Sequence, residues 1–179
     1  RDVLGSRGLG DVYKRQETLY NCKMVQAQDG VSVESDTLGA LLYPLEGDTF
    51  ALDMVIKPER YHEFGIALHV DKELETGYFL RMNPKNQLVA WDMWPRGEQG
   101  RYQWQIKGDV PYQIETARKL PKAEEYRVHI IKEKDICVVY INDEIVLSTR
   151  MYNHKDGYAG IYVVQGNVKL IQYKEKRSE

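Results

Sequence analysis

Glu63, Tyr78, Arg81, Asp92, Trp94 and Arg96 are the side chains of this chain whose types and spacing could do chemistry together. The last three crowd into the run Leu88-Val89-Ala90-Trp91-Asp92-Met93-Trp94-Pro95-Arg96, which holds two of the three tryptophans of the sequence. Aromatic faces stack on the apolar side of a sugar ring, carboxylates accept hydrogen bonds from its hydroxyls, and a guanidinium donates to them. That division of labour suits a shallow polyol site, with Trp104 as a further rim residue. The tryptophans and the ionic groups also have purely structural alternatives. Trp91 alternates with Val89 into a core, Trp94 caps a sheet edge, and Glu63 with Arg81 makes a solvent-facing ion pair of small energetic value.

Other chemistries find less support. His62, His69, His129 and His154 show no zinc-type spacing, and the opposite parity of His62 and His69 would turn them to opposite faces of a strand. No Gly-x-Ser-x-Gly turn presents a nucleophile. Glu63 and Asp92 could in principle serve as a hydrolytic carboxylate pair, but abundant acids on a sheet are usually just solvated, and no catalytic residue is assigned. The formal net charge of −2 over 179 residues gives no basic face for nucleic acid, and no apolar run approaches the roughly 20 residues needed to span a bilayer. Cys22 and Cys137 make no disulfide framework; Cys137 lies in an apolar run and reads as a small buried hydrophobe, while their pairing stays open. No cofactor is expected. A structural calcium on Asp71-Lys72-Glu73 or Asn153 to Asp156 stays open, although no EF-type loop is present.

The elements that must position these residues are strands. In Thr49 to Ile56 the large apolar groups Phe50, Leu52, Met54 and Ile56 fall on every second position, and His62 to His69 repeats the pattern with Phe64, Ile66 and Leu68. Further runs lie at 77–82, 87–92, 101–105, 112–116, 126–132, 136–141, 145–150, 159–164 and 168–173. Asn142-Asp143 suits a tight hairpin, Pro84 belongs in a turn, and Asp156-Gly157 and Gln165-Gly166-Asn167 end two more runs. The expected fold class is all-β, a two-sheet antiparallel β-sandwich of jelly-roll or concanavalin/lectin-like kind. Parity places Glu63, Gly65, Ala67 and His69 on one side of their strand and Gly77, Phe79 and Arg81 on one side of theirs. If those strands are neighbours, Glu63 and Arg81 share one surface with Asp92 at its end.

The expected organisation is a single module over 17–179, monomeric. Residues 1–16 form a leader without strand pattern, in which Asp11-Val12-Tyr13-Lys14-Arg15-Gln16 resembles translated sequencing-adapter read-through. On that basis Gly8-Leu9-Gly10 is not a nucleotide loop and the module is a piece severed from a longer protein.

Tyr78 to Pro84 through Leu88 to Arg96, followed by Ile136 to Tyr152 and Asp156 to Tyr162, resembles the C-terminal β-sandwich of glycoside hydrolase family 32 and its relatives. The second block, a strand, an Asn-Asp turn and a strand ending in Thr149-Arg150-Met151-Tyr152, carries the more specific likeness. The resemblance implies an accessory module behind a five-bladed propeller that holds the catalytic carboxylates. No Trp-Met-Asn-Asp-Pro-Asn or Arg-Asp-Pro segment of such a propeller occurs in the chain. Related sandwiches include the fructan-binding carbohydrate-binding module family 66, whose ligand is held by acidic residues and an arginine. The implied partners are a plant or microbial polysaccharide or oligosaccharide, fructan foremost, and the catalytic domain of a parent enzyme. The implied setting is secreted or on a bacterial cell surface. The competing expectation is a structural domain that packs on such a propeller without binding sugar.

Overall fold

The computed structural model describes residues 17–94 and 112–177. Among them the chain forms twelve strands and one 3-10 turn. The strands are β1 (Thr18–Tyr20), β2 (Lys23–Ala27), β3 (Gly30–Pro44), β4 (Thr49–Arg60), β5 (Glu63–Val70), β6 (Gly77–Asn83), β7 (Leu88–Trp94), β8 (Tyr112–Gln113), β9 (Tyr126–Glu133), β10 (Ile136–Ile141), β11 (Ile145–Arg150) and β12 (Tyr158–Arg177). Every strand pairing is antiparallel.

One continuous sheet folds over to make two layers. The first half of β12 pairs with β5 on one side and with the second half of β3 on the other, and β6, β7 and β8 extend that layer. Its second half pairs with β4 and with the first half of β3, and β9, β10 and β11 extend the second layer. β3 and β12 therefore cross from layer to layer side by side. Their corner is a bulge at Gln165, which has φ of 50°, with the register stepping from Val164↔Leu38 to Gly166↔Ser35.

The alternating side chains meet between the layers. Phe64, Ile66, Leu80 and Trp91 of the first layer join Leu52, Met54, Val128, Ile130 and Val139 of the second in one buried cluster. The rings of Phe64 and Tyr126 lie 6.0 Å apart across it. A second cluster, Ala40, Leu42, Ala67, Val70, Leu74 and Tyr162, covers the opposite face of the first layer.

The all-β antiparallel sandwich expected from the periodicity is the observed fold, with three corrections. Strands begin well before Thr49: β1, β2 and β3 precede it, and Gly39 to Tyr43 in β3 is buried on both faces, so it carries no alternation to read. Gln165-Gly166-Asn167 does not end a strand, because the corner absorbs it as a bulge within β12. The run at 112–116 shrinks to Tyr112–Gln113, and the run at 101–105 and the leader at 1–16 fall outside the described residues.

The turns follow their residue types. Asn142 and Asp143 both take positive φ, 51° and 56°, and the Glu144 N–H closes the hairpin on the Ile141 carbonyl at 3.0 Å. Pro84 opens the 3-10 turn Pro84–Asn86. Both cysteines are free thiols; burial pushes Cys137 up to about 12, and the Cys22 thiol donates to the Ala40 carbonyl at 3.2 Å.

His69 closes one end of the core rather than joining Glu63, Gly65 and Ala67 on the outer face, because the register slips past it between Leu68 and Val70 and breaks the alternation. Its φ is 53°, its ring lies 5.6 Å from that of Phe50, and Nδ1–H donates to the Asp156 carbonyl at 2.8 Å. Burial drives its pKa from 6.5 down to about 4. The unfolded chain thus takes up a proton near pH 6.5 while the folded chain refuses it until about pH 4, and stability contributed by neutral His69 is lost as pH falls through that window.

Two outcomes are expected. In urea titrations between pH 7 and pH 4, the stability difference between the native chain and His69→Asn, which tolerates left-handed φ and keeps an N–H donor, changes by up to about 1.4 kcal/mol per pH unit. A constant difference would contradict the burial of a neutral ring. Gly166→Ala sets a Cβ 1.8 Å from the Arg60 carbonyl oxygen, so the corner must shift. Its urea midpoint is expected to fall by the equivalent of about 2–3 kcal/mol.

Candidate functional site

The outer face of the first layer is a grid set by strand register. Ala40, Tyr162, Gly65, Arg81 and Ala90 form one row; Leu42, Gly160, Ala67, Phe79 and Asp92 form the next. Leu38, Val164 and Glu63 begin a third row on one side, and Gly77 and Trp94 stand opposite each other on the other side. Arg81 is therefore diagonal to Glu63 on β5 and to Asp92 on β7, distances that only a long side chain can bridge.

It bridges both. Arg81 Nε lies 3.4 Å from Glu63 Oε1, and Nη1 lies 3.4 Å from Asp92 Oδ2. Asp92 is buried, while Glu63 and Arg81 are half-buried. These separations exceed the roughly 2.7–2.9 Å of a tight charge-assisted hydrogen bond. Arg81 Nε–H and Glu63 Oε1 are buried atoms without a hydrogen-bond partner among the described residues. Burial lifts the Glu63 carboxyl above its ordinary pKa, with Arg81 pulling it down and Asp92 pushing it up. Asp92 is likewise raised by burial against the pull of Arg81. Desolvation thus outweighs the ion pairing at both carboxylates.

Gly65 and Ala67 do leave room above the sheet, and aromatic rings take it. A Cβ at Gly65 would fall 1.9 Å from the Leu80 carbonyl oxygen and 2.9 Å from Tyr162 Cε1, so the missing side chain admits both the neighbouring strand and the Tyr162 ring. Phe79 meets Tyr162 edge-on at 5.6 Å. Burial holds the Tyr162 phenol well above its ordinary pKa, so it stays protonated.

Leu74 comes from the β5–β6 loop, which Asp71 ties to itself: Thr76 N–H donates to Asp71 Oδ1 at 2.8 Å and Leu74 N–H to the Asp71 carbonyl at 3.2 Å. Together Glu63, Arg81, Asp92, Trp94, Tyr162, Phe79, Leu38, Leu74 and Val164 line a cleft of about 320 Å³, at the small end of ligand pockets.

Of the residues singled out by type and parity, the structure brings Glu63, Arg81, Asp92 and Trp94 to this one cleft. Tyr78 is not among them. It is 1% exposed on the core side of β6, where its hydroxyl accepts from Asn153 N–H at 3.0 Å. The reason is the strand period: Tyr78 shares its face with Leu80 and Met82, opposite Arg81. Arg96 and Trp104 lie outside the described residues. Trp91 is buried in the core beside Val89, its structural alternative.

Tyr162, Leu38, Leu74 and Val164 escape sequence reasoning, because nothing local says that β12 lies between β3 and β5. Of the residues left open for calcium, Asp71 Oδ1 accepts from Thr76 N–H at 2.8 Å and Asp156 Oδ1 from Gly47 N–H at 2.7 Å.

No family model and no curated protein sequence matches the chain. Solved structures do. The carbohydrate-binding module CBM66 from Bacillus subtilis superposes with a TM-score of 0.74 at 17% identity, covering 90% of this chain and 96% of that one. The exoplasmic/lumenal domain of VIP36, in a form bound to Ca2+ and Man3GlcNAc, gives 0.62 at 11% identity over 91% and 84%. The galectin LEC-6 of Caenorhabditis elegans gives 0.54 at 13% identity over 88% and 96%. At these identities the likeness is one of fold, and the fold this chain shares with them is the lectin-like antiparallel β-sandwich.

Proposed function

We propose that the chain is a non-catalytic carbohydrate-binding module whose site is the cleft around Arg81. The observation that carries this reading is hydrogen-bonding capacity left unspent in a concave site. Arg81 Nε–H and Glu63 Oε1 face each other at 3.4 Å without bonding, next to the buried carboxylate of Asp92. A sugar hydroxyl is both donor and acceptor, so a pair of vicinal hydroxyls can serve guanidinium and carboxylates together. Trp94 lines the cleft and offers an indole ring for the sugar to stack on. The like-folded proteins include a module named for carbohydrate binding and a domain holding a mannose-containing glycan, which supports the same reading.

The finer assignments rest on the sequence resemblance. Fructan is the polymer it nominates, and a hydrolase catalytic domain is the neighbour it nominates. One observation favours the structural alternative, or a combination of the two roles. The outer face of the second layer exposes Ile131, Ile136, Tyr140 and Val146 on three adjoining strands, an apolar stripe suited to packing on another domain. The two faces are distinct, so sugar binding on one and domain packing on the other do not compete.

Affinity should be modest, with Kd of roughly 10 μM to 1 mM, because a shallow cleft offers few buried contacts to offset the lost freedom of the ligand. Calorimetric titration of the chain against levan, inulin, β-glucans, acetylated xylan, fucose-bearing xyloglucan and chitin oligosaccharides checks this. Arg81→Ala and Trp94→Ala, shown to be folded by circular dichroism, are each expected to weaken binding about tenfold or more. Absence of binding to every polymer, or variants that bind as the native chain does, would remove the reading.

A further inference from the structure

Resting on the saccharide reading of the cleft, we infer that the recognised unit is an uncharged sugar bearing a small alkyl group, either the methyl of a 6-deoxy sugar or the methyl of an acetyl substituent. The walls argue for it. The charged groups lie on one diagonal, Glu63 through Arg81 to Asp92, and the flank of that diagonal toward β12 is walled by hydrocarbon around the Tyr162 phenol. Leu38 and Val164 share the row of Glu63 at one end, while Leu74 and Phe79 stand at the other.

Trp94 and Phe79 could stack on the C–H face of any pyranose or furanose. Leu38, Leu74 and Val164 cannot, because branched aliphatic side chains have no π face and neither donate nor accept. A fully hydroxylated sugar carries a hydroxyl or hydroxymethyl around its whole rim, and the diagonal can satisfy only one edge. A hydroxyl pressed against the aliphatic flank loses water without gaining a partner, a penalty that weakens binding by about tenfold or more. A methyl in the same place gains from burial instead.

Leu74 points the same way. Its φ of 57° is a left-handed conformation that leucine disfavours, yet it is held there by the Asp71 loop bonds and sits 5% exposed over the cleft. The charge of the site sets the other limit. Glu63 and Asp92 face the single guanidinium of Arg81, so a uronate or sulfated sugar would bring a further anion to an already acidic diagonal. Levan and inulin, fully hydroxylated, rank below alkyl-bearing polymers on these grounds.

The test uses matched monosaccharide glycosides and the intact chain in calorimetry or ligand-observed NMR. Methyl α-L-fucoside is compared with methyl α-L-galactoside, methyl N-acetyl-β-glucosaminide with methyl N-formyl-β-glucosaminide, and methyl β-glucuronide with methyl β-glucoside. In at least one of the first two pairs the alkyl-bearing member is expected to bind about tenfold tighter; which pair responds identifies deoxy methyl or acetyl as the source. The glucuronide is expected to bind more weakly than the glucoside. Leu74→Asn, compatible with left-handed φ, and the near-isosteric Val164→Thr should each pull the responding ratio toward one. Equal binding within both alkyl pairs, with Arg81→Ala still weakening polymer binding, overturns this inference and leaves the saccharide site standing. Loss of that Arg81 dependence overturns the saccharide site itself.

Discussion

Two strands that belong to both layers are the constraint on which this molecule depends. Because β3 and β12 turn the corner together, the first layer is fed from its middle, and its two faces inherit different tasks. The inner face joins the common core. The outer face, which in an ordinary antiparallel sheet would be solvated, instead gathers Ala40, Leu42, Ala67 and Tyr162 into a second apolar cluster. That cluster gives the cleft its depth and low polarity. Ionisable groups set into it are partly dehydrated from the start.

Arg81 is placed to answer that dehydration, and does so incompletely. Raised pKa values at Glu63 and Asp92 show burial outweighing the attraction of the guanidinium. Half-buried ion pairs at 3.4 Å contribute little net stability. The arrangement makes better sense as pre-organisation. Three strands hold one cation and two anions at separations that a bridging hydroxyl could complete, with the register of β5, β6 and β7 fixing the geometry. A local departure from the most stable packing is a common mark of a site under functional constraint.

How much of this is legible in the sequence follows from the same physics. Alternation reveals strands with one wet face, so β4, β9, β10 and β11 stand out, while the second half of β3, dry on both faces, does not. Parity suffices to put Arg81 on one side of β6 and Glu63 on one side of β5, and it correctly anticipates that the two meet near Asp92. Tyr78 obeys the same rule: its ring suits a sugar site by type, but its alternation with Leu80 and Met82 sends it to the core. Tyr162 and Leu74 are invisible for a different reason. Their place depends on which distant strand lies beside β5 and on a loop tied by its own aspartate, and no local pattern records either.

The most direct measurement is a two-dimensional 1H–15N spectrum of the labelled chain titrated with soluble oligosaccharides. Sugar binding in the cleft should shift the Arg81 Nε–H and Trp94 indole N–H signals together, with backbone amides of Glu63, Gly65 and Tyr162 following the same saturation curve. Shifts confined to the outer face of the second layer, around His129 and Tyr140, would contradict it. So would an unchanged spectrum at millimolar sugar.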